Sequence, residues 1–553
     1  MPLTKSVPSP SEVQATFAAT LVDEWVRDGL SDVVICPGSR STPLAVAFAE
    51  RGELRVHVRI DERSAGFFAI GRALVTKRPV VVLVTSGTAA AELHACVAEA
   101  DQAEVPLIIV TADRPPELHG VGAPQTINQR HLYGDMVRCF EEPGVARVNV
   151  ASTWRALASR LFESARGGED RAGPVHLNAA FVEPLLADAG ELPRGRAEGA
   201  PWHRSRTVTT SSNWSAPGPR ILAIVGRGTP RAWVQEARAH HWMVVGDATT
   251  PDTLAYADGL LRSERFALSV RPDVVVRVGG LPSSKILLER WREWQTRTVG
   301  FRGAGFLADP ERLIEERLDG LPAMGPTCRG DEKYVATWQR ASALVAGLLE
   351  RADESFSEIE VARTTVEVAN ESATPLVIGS SMPVRDVEWW APPRDVSAYS
   401  NRGVSGIDGV VSTALGIASG ARAIALVGDV TMLHDVSALV DGLGSYGGTL
   451  VMVVVNNQGG GIFSFLTQSS MEHDRFEMLF GTPRAHDLER VSTAFGHHGE
   501  SVKNASELRL AIERSVNTPG VNVVVANVPG RGENVESHRR WNELVIAALE
   551  GAS

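Results

Sequence analysis

Short unbroken apolar runs recur along the chain: VVIC from Val33, VVVLV from Val80, LIIVT from Leu107, ILAIV from Ile221, VVVRV from Val274, AIALV from Ala423, LVMVVV from Leu450 and VNVVVA from Val521. Hydrophobicity that is continuous rather than alternating belongs to strands covered on both faces, as in parallel sheets. Stretches of helical period lie between the runs, such as TAAAELHACVAEA from Thr88 and DVSALVDGL from Asp435. This β-α-β alternation predicts an α/β fold of doubly wound parallel sheets. At about 150 residues per domain, 553 residues make roughly three or four domains. Pro, Ser and Thr crowd between Gly190 and Pro219, and Pro and Gly again between Leu321 and Gly330, which marks two joints. Three α/β domains are expected, at residues 1–190, 216–345 and 354–553.

The charge balance, 55 Lys+Arg against 66 Asp+Glu with a formal net charge of −11, offers no general grip on nucleic acid or an acidic membrane. An anionic ligand must therefore meet locally placed cations. Cys36, Cys96, Cys139 and Cys328 form no CxxC pair and no HExxH occurs, so neither a disulfide framework nor a zinc site is read. MPLTKSVPSPS at the start lacks an apolar signal core, and no apolar run approaches the ~18 residues of a membrane span. A cytoplasmic protein with neither nucleic acid nor membrane as partner is expected.

The sharpest chemical signal lies in the last third, where the strand AIALV ends in Gly428-Asp429-Val430 and a later apolar strand ends in NNQGGGIF, Asn456 to Phe463. Two neighbouring strands would bring a carboxylate and an amide oxygen together at the sheet edge where α/β folds bind ligands. Hard oxygens suit Mg²⁺, or Mn²⁺, which keeps coordination positions for phosphate oxygens and water. Asp429, the side-chain oxygen of Asn457 and the carbonyl of Gly459 are the candidate metal ligands. Each half alone also reads as a turn, because Gly, Asn and Asp dominate turns. Together they resemble the thiamine-diphosphate signature, which opens GDG and closes NN; Val430 departs from its third position. The resemblance implies thiamine diphosphate as cofactor, with Gly428, Asp429, Asn456, Asn457 and Gly459 at its diphosphate end.

Thiamine diphosphate needs a carboxyl group against its pyrimidine ring, so that the ring's exocyclic amine can act as a base. Glu62 of DERSAGFFAIG, at the start of a helical pattern carrying Ala65, Phe68, Ala69 and Ala73, is the candidate. An apolar site would favour its protonated form. A solvated acid placed near a helix N-terminus is the other reading of the same residue.

PGSRST (Pro37 to Thr42), TADRP (Thr111 to Pro115), GAPQTINQ (Gly122 to Gln129), SSMPVRD (Ser380 to Asp386) and SNRGVSGIDG (Ser400 to Gly409) each place polar or cationic groups beside a strand end. With the metal motif, this set closely resembles the family of 2-succinyl-5-enolpyruvyl-6-hydroxy-3-cyclohexene-1-carboxylate synthases, thiamine-diphosphate enzymes of menaquinone biosynthesis. The resemblance spans nearly the whole chain. It implies a transferase that decarboxylates 2-oxoglutarate and adds the remaining unit to isochorismate. Both substrates are dicarboxylates, which the planar fork of Arg grips bidentately. Substrate contacts carried over by similarity fall on Ser39, Arg40, Arg114, Gln125, Ser381, Arg385 and Arg402. Lys285 of GGLPSSKILL joins them, although Ile286 stands where some members have a second cation. Ile407 matches the apolar residue on which the cofactor bends, and Ile462 and Phe463 match the apolar lining of the site. Pro124 replaces an Asn present in part of the family, so that contact is not transferred.

ILAIVGRGTPR in the middle region lacks the third glycine of a dinucleotide turn, Arg231 standing there instead, which argues against a nicotinamide cofactor. TSGTA (Thr85 to Ala89) reads equally as a ligand-facing loop and as a plain helix cap. The family also implies a homodimer or homotetramer, with Glu62 facing Asp429 of the partner subunit. Two other readings keep the same fold: a different thiamine-dependent 2-oxo acid decarboxylase or acetohydroxyacid synthase, and a catalytically silent ligand-binding protein. The dense cation set around Arg40, Arg385 and Arg402 argues against the first, and the intact acid and metal ligands against the second.

Overall fold

The computed structural model describes residues 8–167, 171–205, 214–302, 307–351 and 356–551. Part of the expected first joint (206–213) and the expected start of the third domain (354 and 355) lie outside the described residues. Strands β1 (Asp32–Ile35), β2 (Arg55–Val58), β3 (Val80–Val84), β4 (Leu107–Asp113), β5 (Phe140–Glu141) and β6 (Pro174–Ala180) form a six-stranded sheet ordered β2-β1-β3-β4-β6-β5. A five-stranded sheet follows, β11-β10-β9-β7-β8, from β7 (Ile221–Val225), β8 (Met243–Gly246), β9 (Val274–Val278), β10 (Thr298–Arg302) and β11 (Glu316–Asp319). The last is β13-β12-β14-β15-β17-β16, from β12 (Leu376–Ile378), β13 (Ala398–Tyr399), β14 (Arg422–Gly428), β15 (Thr449–Asn456), β16 (His498–Val502) and β17 (Gly520–Asn527). Every pairing is parallel. The apolar runs are the central strands, and β3, β4, β7 and β9 are buried along their whole length.

Helices supply the covering layers. Phe17, Leu21 and Trp25 of the helix Pro10–Asp28 and Leu161 and Phe162 of Trp154–Arg166 pack on Val33, Leu83 and Val110 of the first sheet. Val361 and Val366 of Glu358–Glu371, with Leu508 and Ile512 of Ala505–Val516, pack on Leu376, Leu426 and Val453 of the third. No helix of the described residues is long and apolar enough to cross a membrane.

The chain forms two compact units. One comprises Met1–Thr207, Asn401–Ser419 and Asp435–Gly447; the other comprises Val208–Ser400, Gly420–His434 and Gly448–Ser553. Two pieces expected in the third domain thus belong to the unit of the first sheet. The reason is visible in the bonds of the helix Val410–Ala418 to the helix Glu62–Thr76. Ser64 and Ser412 hydroxyls meet at 2.9 Å, Thr413 Oγ1 donates to the Phe67 carbonyl at 3.2 Å, and Arg72 Nη1 donates to the carbonyls of Gly416 and Ser419. Arg72 Nε also donates to Asp32 Oδ1 at 2.9 Å, where His57 Nε2 stands at 3.0 Å.

Burial alone would raise the Asp32 carboxyl, but His57 and Arg72 bring it down to about 2. A depressed native pKa contributes stability above the unfolded value near 4 that is lost as pH falls through about 2. Asp32→Asn is therefore expected to cost about 2 kcal/mol at pH 7 and to remove stability that wild type loses between roughly pH 4 and 2. Urea unfolding at a series of pH values checks it; parallel stability curves for the two proteins would refute the assignment.

Candidate active site

Open parallel sheets bind ligands beyond the carboxyl ends of strands where chain order reverses. In the first sheet that point lies between β1 and β3, and in the third between β12 and β14. The loops leaving these strands carry Ser39 and Arg40, Thr85 to Ala89, Ser381, and Asp429. In the middle sheet the equivalent loops close on each other: Gly226 N donates to Val278 O and Gly280 N to Arg227 O.

At the third sheet, β14 and β15 pair in register to Gly428 and Val455, so Asp429 and Asn456-Asn457 leave the sheet side by side. Asp429 is buried. Its Oδ1 accepts from Val430 N at 2.7 Å and its Oδ2 from Gly459 N at 2.8 Å. Burial pushes its carboxyl up to about 6, against the pull of these N–H groups. Asn456 Nδ2 donates to Asn527 Oδ1, its register partner on β17, at 2.8 Å. Asn457 Nδ2 donates to Glu358 Oε1 at 2.8 Å, and Asn457 Oδ1 is buried without a hydrogen-bond partner. Gly459 has φ +142°, and a Cβ there would lie 2.2 Å from Gly481 O and 2.4 Å from Arg531 Nη1, so only glycine fits. Arg531 holds the same loop by donating to Gln458 O at 2.6 Å and by pairing with Glu477.

Among the described residues no group of three or more His, Cys, Asp or Glu side chains could hold a metal. The Asp429 centre offers instead one carboxylate, an amide oxygen and a carbonyl. That donor set, with one acceptor already buried and unpaired, fits a hard divalent cation whose other positions are taken by phosphate and water.

Lys285 and Arg385 line one cavity of about 440 Å³ together with Ile462, Phe465, Met382 and Trp389. Glu388 explains the convergence, because its carboxylate accepts from Ser283 N at 2.8 Å and Ser284 N at 3.0 Å. This draws the loop before Lys285 against the helix Met382–Trp390. Burial pushes Glu388 up to about 7. Ser381 precedes that helix with φ +74°, and its carbonyl accepts from Arg385 Nη1. Phe463 packs against Phe480 with the rings tilted and their centroids 5.4 Å apart, while Phe465 lies on the cavity wall.

In the unit of the first sheet, three loops meet. Arg114 is buried, and its Nη1 donates to the carbonyl of Gln125 at 2.8 Å and contacts Ser86 Oγ. Ser86 Oγ donates to the same carbonyl at 2.9 Å. Arg40 donates to Phe181 O at 3.1 Å and pairs with Glu183 at 3.1 Å. Burial, then the neighbouring Arg40, lowers the Arg114 pKa, as two cations gathered for an anion would. Ser39 and the Gln125 side chain are exposed beside this pair. Glu62 opens the helix Glu62–Thr76 and is half-buried; Asp61 caps it, accepting from Ser64 N at 3.0 Å. The segment bearing Arg402 and Ile407 packs in the same unit, clamped by buried Glu99, which accepts from Gly403 N at 2.7 Å and Val404 N at 2.8 Å.

Glu99, Gln129, Glu388 and Glu358 were not singled out by sequence. Gln129 ends the motif GAPQTINQ, and its Oε1 accepts from Gly87 N at 2.9 Å. The three glutamates left no local signal, since each acts on a backbone or side chain far along the chain.

Residues 15–132 match the thiamine pyrophosphate enzyme N-terminal TPP binding domain, and residues 379–526 the thiamine pyrophosphate enzyme C-terminal TPP binding domain. Sheet order, strand-end loops and these two matches define a thiamine pyrophosphate enzyme. Among curated proteins, the chain is 39% identical to the 2-succinyl-5-enolpyruvyl-6-hydroxy-3-cyclohexene-1-carboxylate synthase of Saccharopolyspora erythraea, over 98% of this chain and 100% of the relative. It is 39% identical to that of Thermobifida fusca (96% and 99%) and 36% identical to that of Myxococcus xanthus (98% and 99%). The chain belongs to the 2-succinyl-5-enolpyruvyl-6-hydroxy-3-cyclohexene-1-carboxylate synthase family.

Proposed function

We infer that this chain catalyses the thiamine-diphosphate-dependent decarboxylation of 2-oxoglutarate and transfer of the resulting succinyl-semialdehyde unit to isochorismate, giving 2-succinyl-5-enolpyruvyl-6-hydroxy-3-cyclohexene-1-carboxylate and carbon dioxide in menaquinone biosynthesis. The observation that carries this reading is 39% identity over 98% of the chain to a protein so named. When bound, thiamine diphosphate supplies an electron sink for the pair left by decarboxylation. Asp429, Asn457 and the Gly459 carbonyl hold Mg²⁺ or Mn²⁺, and Gly428 and Asn456 shape the loops around it. Glu62 holds and returns a proton at its carboxyl oxygen. Arg40, Arg114, Lys285 and Arg385 take substrate carboxylates, with Ser39, Gln125, Ser381 and Arg402 as further polar contacts. Ile407 is the apolar support of the cofactor, and Ile462 and Phe463 are apolar contacts of the substrate. The division into three sheet-bearing stretches at 1–190, 216–345 and 354–553, with Asn401–Ser419 and Asp435–Gly447 packing in the unit of the first sheet, belongs to this reading, as does a cytoplasmic location.

Purified protein is incubated with thiamine diphosphate, Mg²⁺, 2-oxoglutarate and isochorismate, one component omitted at a time, and products are weighed by mass spectrometry. The full mixture is expected to yield the adduct and each omission to abolish it; carbon dioxide release from pyruvate in preference to 2-oxoglutarate would sink the reading. We further expect at least a homodimer, with Glu62 facing Asp429 of the partner subunit. Val58 and Ile60, 57% and 62% exposed just before Glu62, support an apolar contact there. Arg385→Ala is expected to raise a substrate KM by about 10- to 100-fold, the loss of one charge-assisted hydrogen bond. Steady-state kinetics with each substrate varied checks this, and an unchanged KM for both would remove Arg385 from substrate binding.

A further inference from the structure

We propose that Glu358 is a positioning residue for the metal centre: its carboxyl group fixes the amide of Asn457 in the orientation that turns an oxygen toward the cation. This rests on the assignment of the metal to Asp429, Asn457 and Gly459. An asparagine amide is two-faced, with an oxygen that ligates and an NH₂ that cannot. Asn457 is 8% exposed and cannot rely on water to choose between them. Its Nδ2 donates to Glu358 Oε1 at 2.8 Å, which leaves Oδ1 as the buried, unpaired atom. Either protonation state of the carboxyl offers that acceptor. Glu358 is 2% exposed and is the first residue of the helix Glu358–Glu371, whose start is fixed by Ser357 Oγ accepting from Glu360 N at 3.3 Å. Gly461 completes the arrangement, since a Cβ there would stand 2.6 Å from Asn457 Nδ2 and push the amide off Glu358. Partners that orient a ligand in this way typically carry 10- to 100-fold in metal affinity.

The experiment measures Mn²⁺ binding to the full chain at saturating thiamine diphosphate, reading free Mn²⁺ by electron paramagnetic resonance, without substrate or turnover. Glu358→Met is expected to weaken Mn²⁺ at least about tenfold, whereas Glu358→Gln, which keeps an amide oxygen as acceptor, is expected to stay close to wild type. Glu358→Leu, which removes the acceptor by a second apolar side chain, is expected to weaken binding as Met does, and thermal unfolding of the metal-free variants checks that each keeps its fold. A split between Gln and the two apolar variants at equal fold stability would not follow from a purely structural role. Glu358→Gln binding as weakly as Glu358→Met overturns the proposal, as does Glu358→Met binding like wild type while Asn457→Ala is impaired. If Asn457→Ala itself binds Mn²⁺ normally, the metal assignment falls instead.

Discussion

Asp429→Ala is expected to lower turnover by about a thousandfold and to abolish metal-dependent retention of thiamine diphosphate, because it removes the one carboxylate of the proposed centre. Several kcal/mol of charge stabilisation by a bound cation corresponds to a factor of that order. The fold should survive. A carboxyl raised to about 6 pays roughly 3 kcal/mol to be ionised at neutral pH. Its removal leaves the N–H groups of Val430 and Gly459 without their acceptor, at about 1–3 kcal/mol each. The two effects are of similar size and opposite sign, so the cofactor-free variant should unfold within a few degrees of wild type. Cofactor titration by tryptophan fluorescence, with and without Mg²⁺, reads the predicted loss. Unchanged affinity would move the metal elsewhere.

Glu62→Gln is expected to keep the cofactor and lose activity by about 10²- to 10⁴-fold, the range a positioned acid or base contributes. Glutamine preserves the size of the side chain and one hydrogen-bonding oxygen but cannot take up and return a proton. The helix start should be undisturbed, since Asp61 rather than Glu62 caps it. Thiamine diphosphate affinity within a few-fold of wild type, beside a collapsed kcat, is the diagnostic pattern. Near-normal kcat would remove Glu62 from the proton path, and loss of affinity with normal kcat at saturation would make it a binding group only.

Arg385 shows how local and distant information divide. Its place beside a strand end was legible in SSMPVRD, because a strand's end and the loop after it are written in consecutive residues. That it meets Lys285 was implied by the family resemblance alone; the clamp that brings them to one cavity, Glu388 accepting from Ser283 and Ser284 about a hundred positions earlier in the chain, has no local sign. Phe463 and Phe465 make the same point two residues apart. Either could line a site, and only the folded chain sets Phe463 against Phe480 and Phe465 on the wall of the cavity with Lys285 and Arg385.

The apolar runs by themselves determined a parallel α/β architecture, because a strand covered on both faces leaves no polar alternation to read. Spacing of Gly, Asp and Asn after those runs singled out the strand ends proposed to meet the cofactor. Tertiary structure alone decided that Asn401–Ser419 and Asp435–Gly447 join the unit of the first sheet. It alone also decided that Glu358 sets the face Asn457 presents. The physical reason is that hydrogen bonds between buried groups distant in sequence, such as Ser64 with Ser412 or Asn457 with Glu358, obey geometry that no local pattern encodes.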